Sequence, residues 1–127
     1  MERHDIQTAA DIQLLVDSFY KQVLPDPLIG YIFADIAQLS WEKHIPIMYQ
    51  FWGSILLGKG TYEGNPMSPH IALDKKVKLE PAHFKRWLQL WEATVQEHFN
   101  GPVATDAIKR AKNIAALMQY KIEQNRV

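Results

Sequence analysis

The five histidines are the side chains best suited to bind a metal or transfer a proton, because cysteine is absent and imidazole serves both purposes near neutral pH. His83 and His98 fall on one predicted helix, fifteen residues apart, too far along the axis for both to bind one ion. His4 lies near the N-terminus, and His44 opens an apolar helical face, where a histidine is most often structural. His70 follows a proline and heads a segment of about two helical turns, and so short a helix needs packing or a ligand to hold it.

Bulky aromatic side chains are the second candidate feature, because eight of them fall on the predicted inward faces of helices. They are Phe19, Tyr20, Phe33, Phe51, Trp52, Phe84, Trp87 and Trp91. Such side chains can simply fill a core. Together with a histidine on a short separate segment, they can also line a slot for a flat apolar cofactor. Tyr20, His44 and Trp87 would give that slot a polar patch, since a buried hydroxyl or indole N–H needs a hydrogen-bond partner. The periodicity leaves both interpretations open.

Four long segments with the helical period would position these side chains, and no alternating strand pattern of useful length is present. In the first, apolar residues of 12–23 recur on one face, with Thr8 as the expected N-cap and Asp11 as the acid of a capping box. The third begins near Pro81, since proline is favoured at the first helical position. The last runs from about residue 105 to residue 124. These patterns predict an all-α fold.

The second long segment follows Ser40, its expected cap. Its helix is expected to begin at residues 43–45, so that Pro46 falls in an opening turn, where a missing N–H costs little. A Gly- and Pro-rich stretch, residues 58–69, ends this helix and predicts an ordered loop. A short apolar piece at residues 28–33 predicts one or two further helical turns.

Composition and charge exclude several classes of protein. The chain has 127 residues, a usual length for a single domain, so we expect one domain over residues 1–127. Its 14 basic and 14 acidic side chains give a net charge of zero, which argues against nucleic acid as a partner. No apolar run is long enough to span a membrane, and the N-terminus is charged, so a cytoplasmic protein without membrane insertion is expected. The sequence contains no nucleotide-binding glycine loop, HExxH or GxSxG motif.

Five motifs follow one another along the chain: Phe19-Tyr20, Trp41-x-x-His44, Phe51-Trp52 before an Ile-Leu-Leu-Gly turn, Tyr62-x-Gly64-x-Pro66-Met67-x-x-His70, and Phe84-x-x-Trp87-Leu88. In this order and spacing they resemble the motifs of the group III truncated haemoglobins, a class of bacterial globins, and the resemblance extends from about residue 12 to residue 122. The resemblance implies a truncated globin fold, a two-over-two helical sandwich around haem b. It also implies that the proximal helix is cut to about one turn.

The resemblance further implies a role for each matching residue. His70 matches the proximal ligand of the haem iron, whose second ring nitrogen would bond a backbone carbonyl. Tyr20, His44 and Trp87 match the distal residues that stabilise the iron's ligand, and His44 would also act as a gate. Met48 would lie over the haem face, one turn after His44. The other cofactor-binding residues implied are Phe19, Phe33, Phe51, Trp52 and Phe84.

By the same resemblance, a five-coordinate haem iron would bind dioxygen, nitric oxide and carbon monoxide. Two or three donors beside the ligand slow its escape, which favours ligand chemistry or detoxification over bulk transport. Nitric-oxide or peroxide chemistry and a reductase partner stay open, and a monomer is expected. Lys43 and Arg86 are candidates to contact the haem propionates. The alternative is a cofactor-free helical interaction module in which the aromatic side chains are only core.

Overall fold

Four α-helices make up most of the structure, a computed structural model that describes residues 3–32, 41–58 and 78–125. They are α1 (Ala9–Val23), α2 (Trp41–Leu57), α3 (Pro81–His98) and α4 (Pro102–Gln124). No strand occurs within these three ranges, and the prediction of an all-α fold is confirmed. None of the helices described is long and apolar enough to cross a membrane.

The helices pack as two pairs. α1 packs against α2 and α3 against α4; α1 also packs against α3 as extensively as against α2, and α2 makes a smaller contact with α4. Only residues 99–101 connect α3 to α4, which makes them an antiparallel hairpin. α1 and α2 are antiparallel as well, because Tyr20 meets His44 whereas the earlier Asp17 meets the later Tyr49. This is the two-over-two arrangement that the family resemblance implies.

A capping box fixes the N-terminus of α1, as its sequence predicts. The Thr8 hydroxyl accepts a hydrogen bond from the Asp11 N–H at 3.2 Å, and the Asp11 carboxylate accepts one from the Thr8 N–H at 3.1 Å. The buried residues of α1 are Ile12, Leu15, Val16, Phe19, Tyr20 and Val23. They recur every three or four residues, so a single stripe of the helix faces the core and carries Tyr20 inward.

The start of α2 differs from its prediction. The helix begins at Trp41 rather than at residues 43–45, and Pro46 lies inside it as the sixth residue. Proline has no N–H, so the helix loses the backbone bond to the Glu42 carbonyl. The prediction considered only the free-energy cost of this missing hydrogen bond. Packing of α2 against α1 offsets that cost and keeps the first turns of α2 helical. At the other end, α2 stops at Gly58, whose φ of 68° suits glycine.

α4 begins at Pro102, about three residues before the predicted start. Asp5 supplies the missing cap from near the N-terminus, because its carboxylate accepts hydrogen bonds from the Val103 N–H at 3.0 Å and the Ala104 N–H at 2.8 Å. The approach is close: a Cβ added at Gly101, whose φ is 151°, would lie 2.5 Å from the Asp5 Cγ. A cap so distant in sequence leaves no local signal.

Buried side chains form two clusters. The larger is built on α1 and receives residues from the other three helices. The smaller contains Ile32, Phe84 and residues of α4. Trp87, Leu88 and Ile114 are half-buried and pack against both clusters. Trp87 therefore lies at the boundary between the two parts of the core.

Candidate functional site

A hydrogen bond between Tyr20 on α1 and His44 on α2 is the polar centre of the candidate site. Oη of Tyr20 lies 3.1 Å from Nε2 of His44, and the two rings meet edge to face with their centroids 5.6 Å apart. Tyr20 is 8% exposed, and its burial raises the pKa of the hydroxyl above its ordinary value. The hydroxyl therefore stays protonated at neutral pH. His44 is half-buried in the first turn of α2, so the imidazole keeps partial access to solvent.

Aromatic contacts connect Tyr20 to Trp87. The ring centroid of Phe19 lies 5.2 Å from that of Tyr20 and 5.9 Å from that of Trp87, with edge-to-face geometry in both pairs. The indole of Trp87 is nearly parallel to that of Trp91, at 6.2 Å. The Trp91 N–H donates to the Ala107 carbonyl at 3.1 Å, which anchors α3 on α4. The Phe19 ring thus lies between the Tyr20 and Trp87 side chains of two neighbouring helices.

Apolar side chains on α2 and α3 keep part of their surface uncovered. Met48 and Phe51 are half-buried on α2 and pack at the edge of the larger cluster, and Trp87 is half-buried on α3. By contrast, Phe19 is 2% exposed, and Trp52 is 4% exposed and stacked on a tryptophan of α3 at 4.3 Å. Phe19 and Trp52 are therefore enclosed by the protein, whereas Met48, Phe51 and Trp87 are only half-buried.

A second hydrogen bond links α1 to α2. The Tyr49 hydroxyl donates to the Asp17 carboxylate. Burial of the hydroxyl and this bond to a carboxylate raise the pKa of Tyr49 to about 12. Asp17 precedes Tyr20 by about one helical turn. The two bonds together therefore fix the register of α2 on α1, and with it the position of His44.

Two of the predicted site residues, Phe33 and His70, lie outside the described residues, as does the side chain of Lys43. The assignment of His70 as an iron ligand stays a prediction. Phe84 is described: it is 8% exposed and belongs to the smaller core cluster, near the N-terminus of α3.

Comparison with known proteins identifies the family. No family model matches the chain. A crystal structure of a group III truncated haemoglobin from Campylobacter jejuni matches it with a TM-score of 0.83 over 95% of both chains, at 27% sequence identity. A group 3 truncated haemoglobin of the same species is 31% identical over 111 residues, which is 85% of each chain. The chain belongs to the group III truncated haemoglobins.

Sequence reasoning missed one ion pair of this truncated haemoglobin, between Asp26 and Arg86. The Arg86 Nε–H donates to Oδ2 of Asp26 at 2.7 Å, while Oδ1 accepts from the Leu28 and Ile29 N–H groups at 2.9 and 3.1 Å. Burial alone would raise the pKa of Asp26, but the hydrogen bonds from Arg86, Ile29 and Leu28 outweigh burial and lower it. An aspartate between two prolines signals a turn, but nothing local indicates its partner sixty residues later.

Proposed function

We propose that this truncated haemoglobin binds haem b in the apolar site lined by α2 and α3, with His70 as the protein ligand of the iron. The observation that carries the proposal is the 3.1 Å hydrogen bond between Tyr20 and His44 in apolar surroundings. Burying a hydroxyl and an imidazole costs free energy unless they are paired, and a core built only for packing has no need of them. Binding sites, by contrast, combine apolar walls with a few placed polar groups.

The described residues fit a haem. A flat apolar macrocycle needs apolar contacts, which the half-buried side chains of Met48, Phe51 and Trp87 can supply. The buried rings behind them are Phe19, Trp52 and Phe84. We assign the sixth aromatic residue, Phe33, to the same wall. The iron needs one nitrogen ligand from the protein, which a histidine supplies in globins.

Haem supplies an iron that binds dioxygen, nitric oxide and carbon monoxide. Tyr20 can donate to such a ligand because burial keeps its hydroxyl protonated. His44 sets the direction of that hydroxyl. When Nε2 carries no proton it accepts from Tyr20, and when Nε2 is protonated it donates to the tyrosine oxygen, which turns the tyrosine hydrogen toward the ligand. The Trp87 indole N–H adds a further donor from α3.

These donors favour retention of the ligand. Each hydrogen bond contributes about 0.5–1.5 kcal/mol, so two or three together slow ligand release by a factor between about five and about two thousand. Slow release suits ligand chemistry or detoxification rather than bulk transport. Repeated turnover of nitric oxide or peroxide consumes electrons, which we assign to a reductase partner in the cytoplasm.

Haem titration and resonance Raman spectroscopy of purified protein test the proposal. We expect the parent to take up haem with a Soret band and a ferrous Fe–His stretch, and His70→Ala to lose the stretch and most of the haem affinity. His98→Ala, at the C-terminal end of α3, is the matched control and should keep both. An unchanged ferrous spectrum and stretch in His70→Ala would contradict the ligand assignment. A parent protein that never binds haem would favour the cofactor-free interaction module.

A further inference from the structure

The buried carboxylate of Asp26 joins the chain segment that follows α1, residues 24–30, to the first turns of α3. We call this segment the corner. The side chain of Asp26 is 2% exposed, whereas that of Arg86 is 40% exposed. One carboxylate oxygen accepts from Arg86, and the other accepts from two backbone N–H groups of the corner. The two oxygens are therefore satisfied by different parts of the molecule, one by α3 and the other by the corner.

This arrangement restricts the movement of α3. If α3 slid along or rotated about its axis, Asp26 would lose Arg86 and keep an unpaired charge in the interior, which is strongly unfavourable. The corner itself cannot readily follow such a movement. The Gly30 N–H donates to the Asp26 carbonyl at 2.9 Å, and the backbone there is so close that a Cβ on Gly30 would lie 2.4 Å from the Leu24 oxygen.

Trp87 directly follows Arg86, so the orientation of α3 at this point decides where its indole points. The ring packs against Phe19 at 5.9 Å and parallel to Trp91 at 6.2 Å, and it remains half-buried. The hydrophobic free energy gained by burying these rings is non-directional. The charge-assisted hydrogen bond from Arg86 to Asp26 is directional and short. Together with the hydrogen bond from Trp91 to the Ala107 carbonyl one turn later, it therefore defines the rotation of α3 at Trp87.

We propose that Asp26 and Arg86 are positioning residues for the indole of Trp87, and through it for the ligand. The proposal rests on the proposed function, in which the Trp87 N–H donates to that ligand. Both side chains act through α3 without touching the ligand. In this proposal the Nε–H of Arg86 donates to Asp26 and is not available to bind a haem propionate.

Two conservative variants test the proposal. Asp26→Asn keeps an oxygen for the corner amides but removes the charge opposite Arg86. Arg86→Lys keeps the charge but removes the directional Nε–H, and it preserves the folded protein should Asp26→Asn fail to fold. Asp106→Asn is the matched control, because it removes a carboxylate from an exposed pair with Arg110 on α4.

The first measurement is the indole N–H resonance of Trp87 in ¹⁵N-labelled protein, assigned with Trp87→Phe. We expect this resonance to shift in both variants and not in the control. The second measurement is the dioxygen dissociation rate, which should change about two- to thirtyfold in both variants, together with the stretching frequency of bound carbon monoxide. In a Trp87→Phe background, Asp26→Asn should leave the dissociation rate unchanged, because the indole through which Asp26 is proposed to act is absent.

An unshifted indole resonance in the two variants overturns the proposal, as does an effect of Asp26→Asn that persists in the Trp87→Phe background. A parent protein that takes up no haem overturns the proposed function instead. In that case the indole resonance alone decides the positioning role: a shift in both variants supports it, and no shift refutes it.

Discussion

Oη of Tyr20 and Nε2 of His44 lie 3.1 Å apart, so one hydrogen bond spans the interface of α1 and α2 within the proposed distal site. A ligand that accepts from the tyrosine must compete with the imidazole, unless the imidazole donates its own Nε2 proton to the tyrosine oxygen. His44 is also half-buried. A rotation of its ring toward solvent would open the site and release the hydroxyl in the same step, which couples ligand association to ligand stabilisation.

Replacing His44 with Leu should change ligand association rates more than it changes bound-ligand stretching frequencies. The reason is that a gate acts on access, whereas Tyr20 and Trp87, the other two proposed donors, remain in the variant. Flash photolysis gives the rates and resonance Raman spectroscopy the frequencies, with His98→Leu as the control. Association rates equal to those of the parent from about pH 5 to 8, where a free imidazole titrates, would show that His44 does not gate the site.

Tyr20→Phe and Trp87→Phe should each raise the dioxygen dissociation rate, by about two- to tenfold, because each removes one of the proposed hydrogen bonds to the ligand. The double variant should be non-additive, since both donors act on one ligand. Stopped-flow displacement measures the rates. Tyr120→Phe is the matched control, because Tyr120 is 58% exposed on α4. Strict additivity, or no effect of either single change, would argue against a shared distal network.

Asp26 should make the free energy of unfolding depend on pH in the acidic range. Its pKa is lowered below the ordinary value of 3.8, since hydrogen bonds from Arg86, Ile29 and Leu28 outweigh the opposing effect of burial. A group with a lowered folded-state pKa contributes stability that is present above its unfolded-state pKa and is lost as the pH falls through the folded-state pKa.

Urea midpoints measured from about pH 5 down to pH 2 should therefore fall less steeply for Asp26→Asn than for the parent. Some slope should remain in the variant, because the pKa of Asp5 is also lowered: its hydrogen bonds with Val103, Ala104 and Ile6 outweigh burial, and His4 lowers it further. Asp106→Asn should keep the slope of the parent. Parallel curves for the parent and Asp26→Asn would contradict the prediction.

Gly30 and Gly53 should respond oppositely to alanine. A Cβ at Gly30 would lie 2.4 Å from the Leu24 carbonyl oxygen, whereas a Cβ at Gly53 on α2 meets nothing within 4 Å. Gly30→Ala should lower the free energy of unfolding by about 1–3 kcal/mol through overpacking. Gly53→Ala should raise it by about 0.5–1 kcal/mol, because alanine loses less backbone entropy in a helix. Equal effects of the two changes in thermal unfolding would show that the space at these positions does not decide stability.

The sequence predicted features that depend on neighbouring residues and missed those that depend on distant ones. Thr8 and Asp11 are three residues apart, so the cap of α1 could be predicted. The cap of α4 could not, because it comes from Asp5. The apolar faces predicted for α1 and α2 indicated Tyr20 as a candidate site residue and His44 as a residue at the edge of the core. Their direct hydrogen bond follows from the antiparallel register of the two helices, which no local pattern encodes.

The Asp5 cap of α4 also has a consequence for the order in which the chain is made. Asp5 is synthesised 98 and 99 residues before the two amides that it caps. Ile6, 1% exposed in the finished fold, packs in the same cluster as residues of α4. On the ribosome the segment around Asp5 therefore meets these partners only after about a hundred further residues have been made, and closing so long a loop is a slow step in folding. Docking of the segment around Asp5 onto α4 should therefore come late in folding, although this segment is translated before α1.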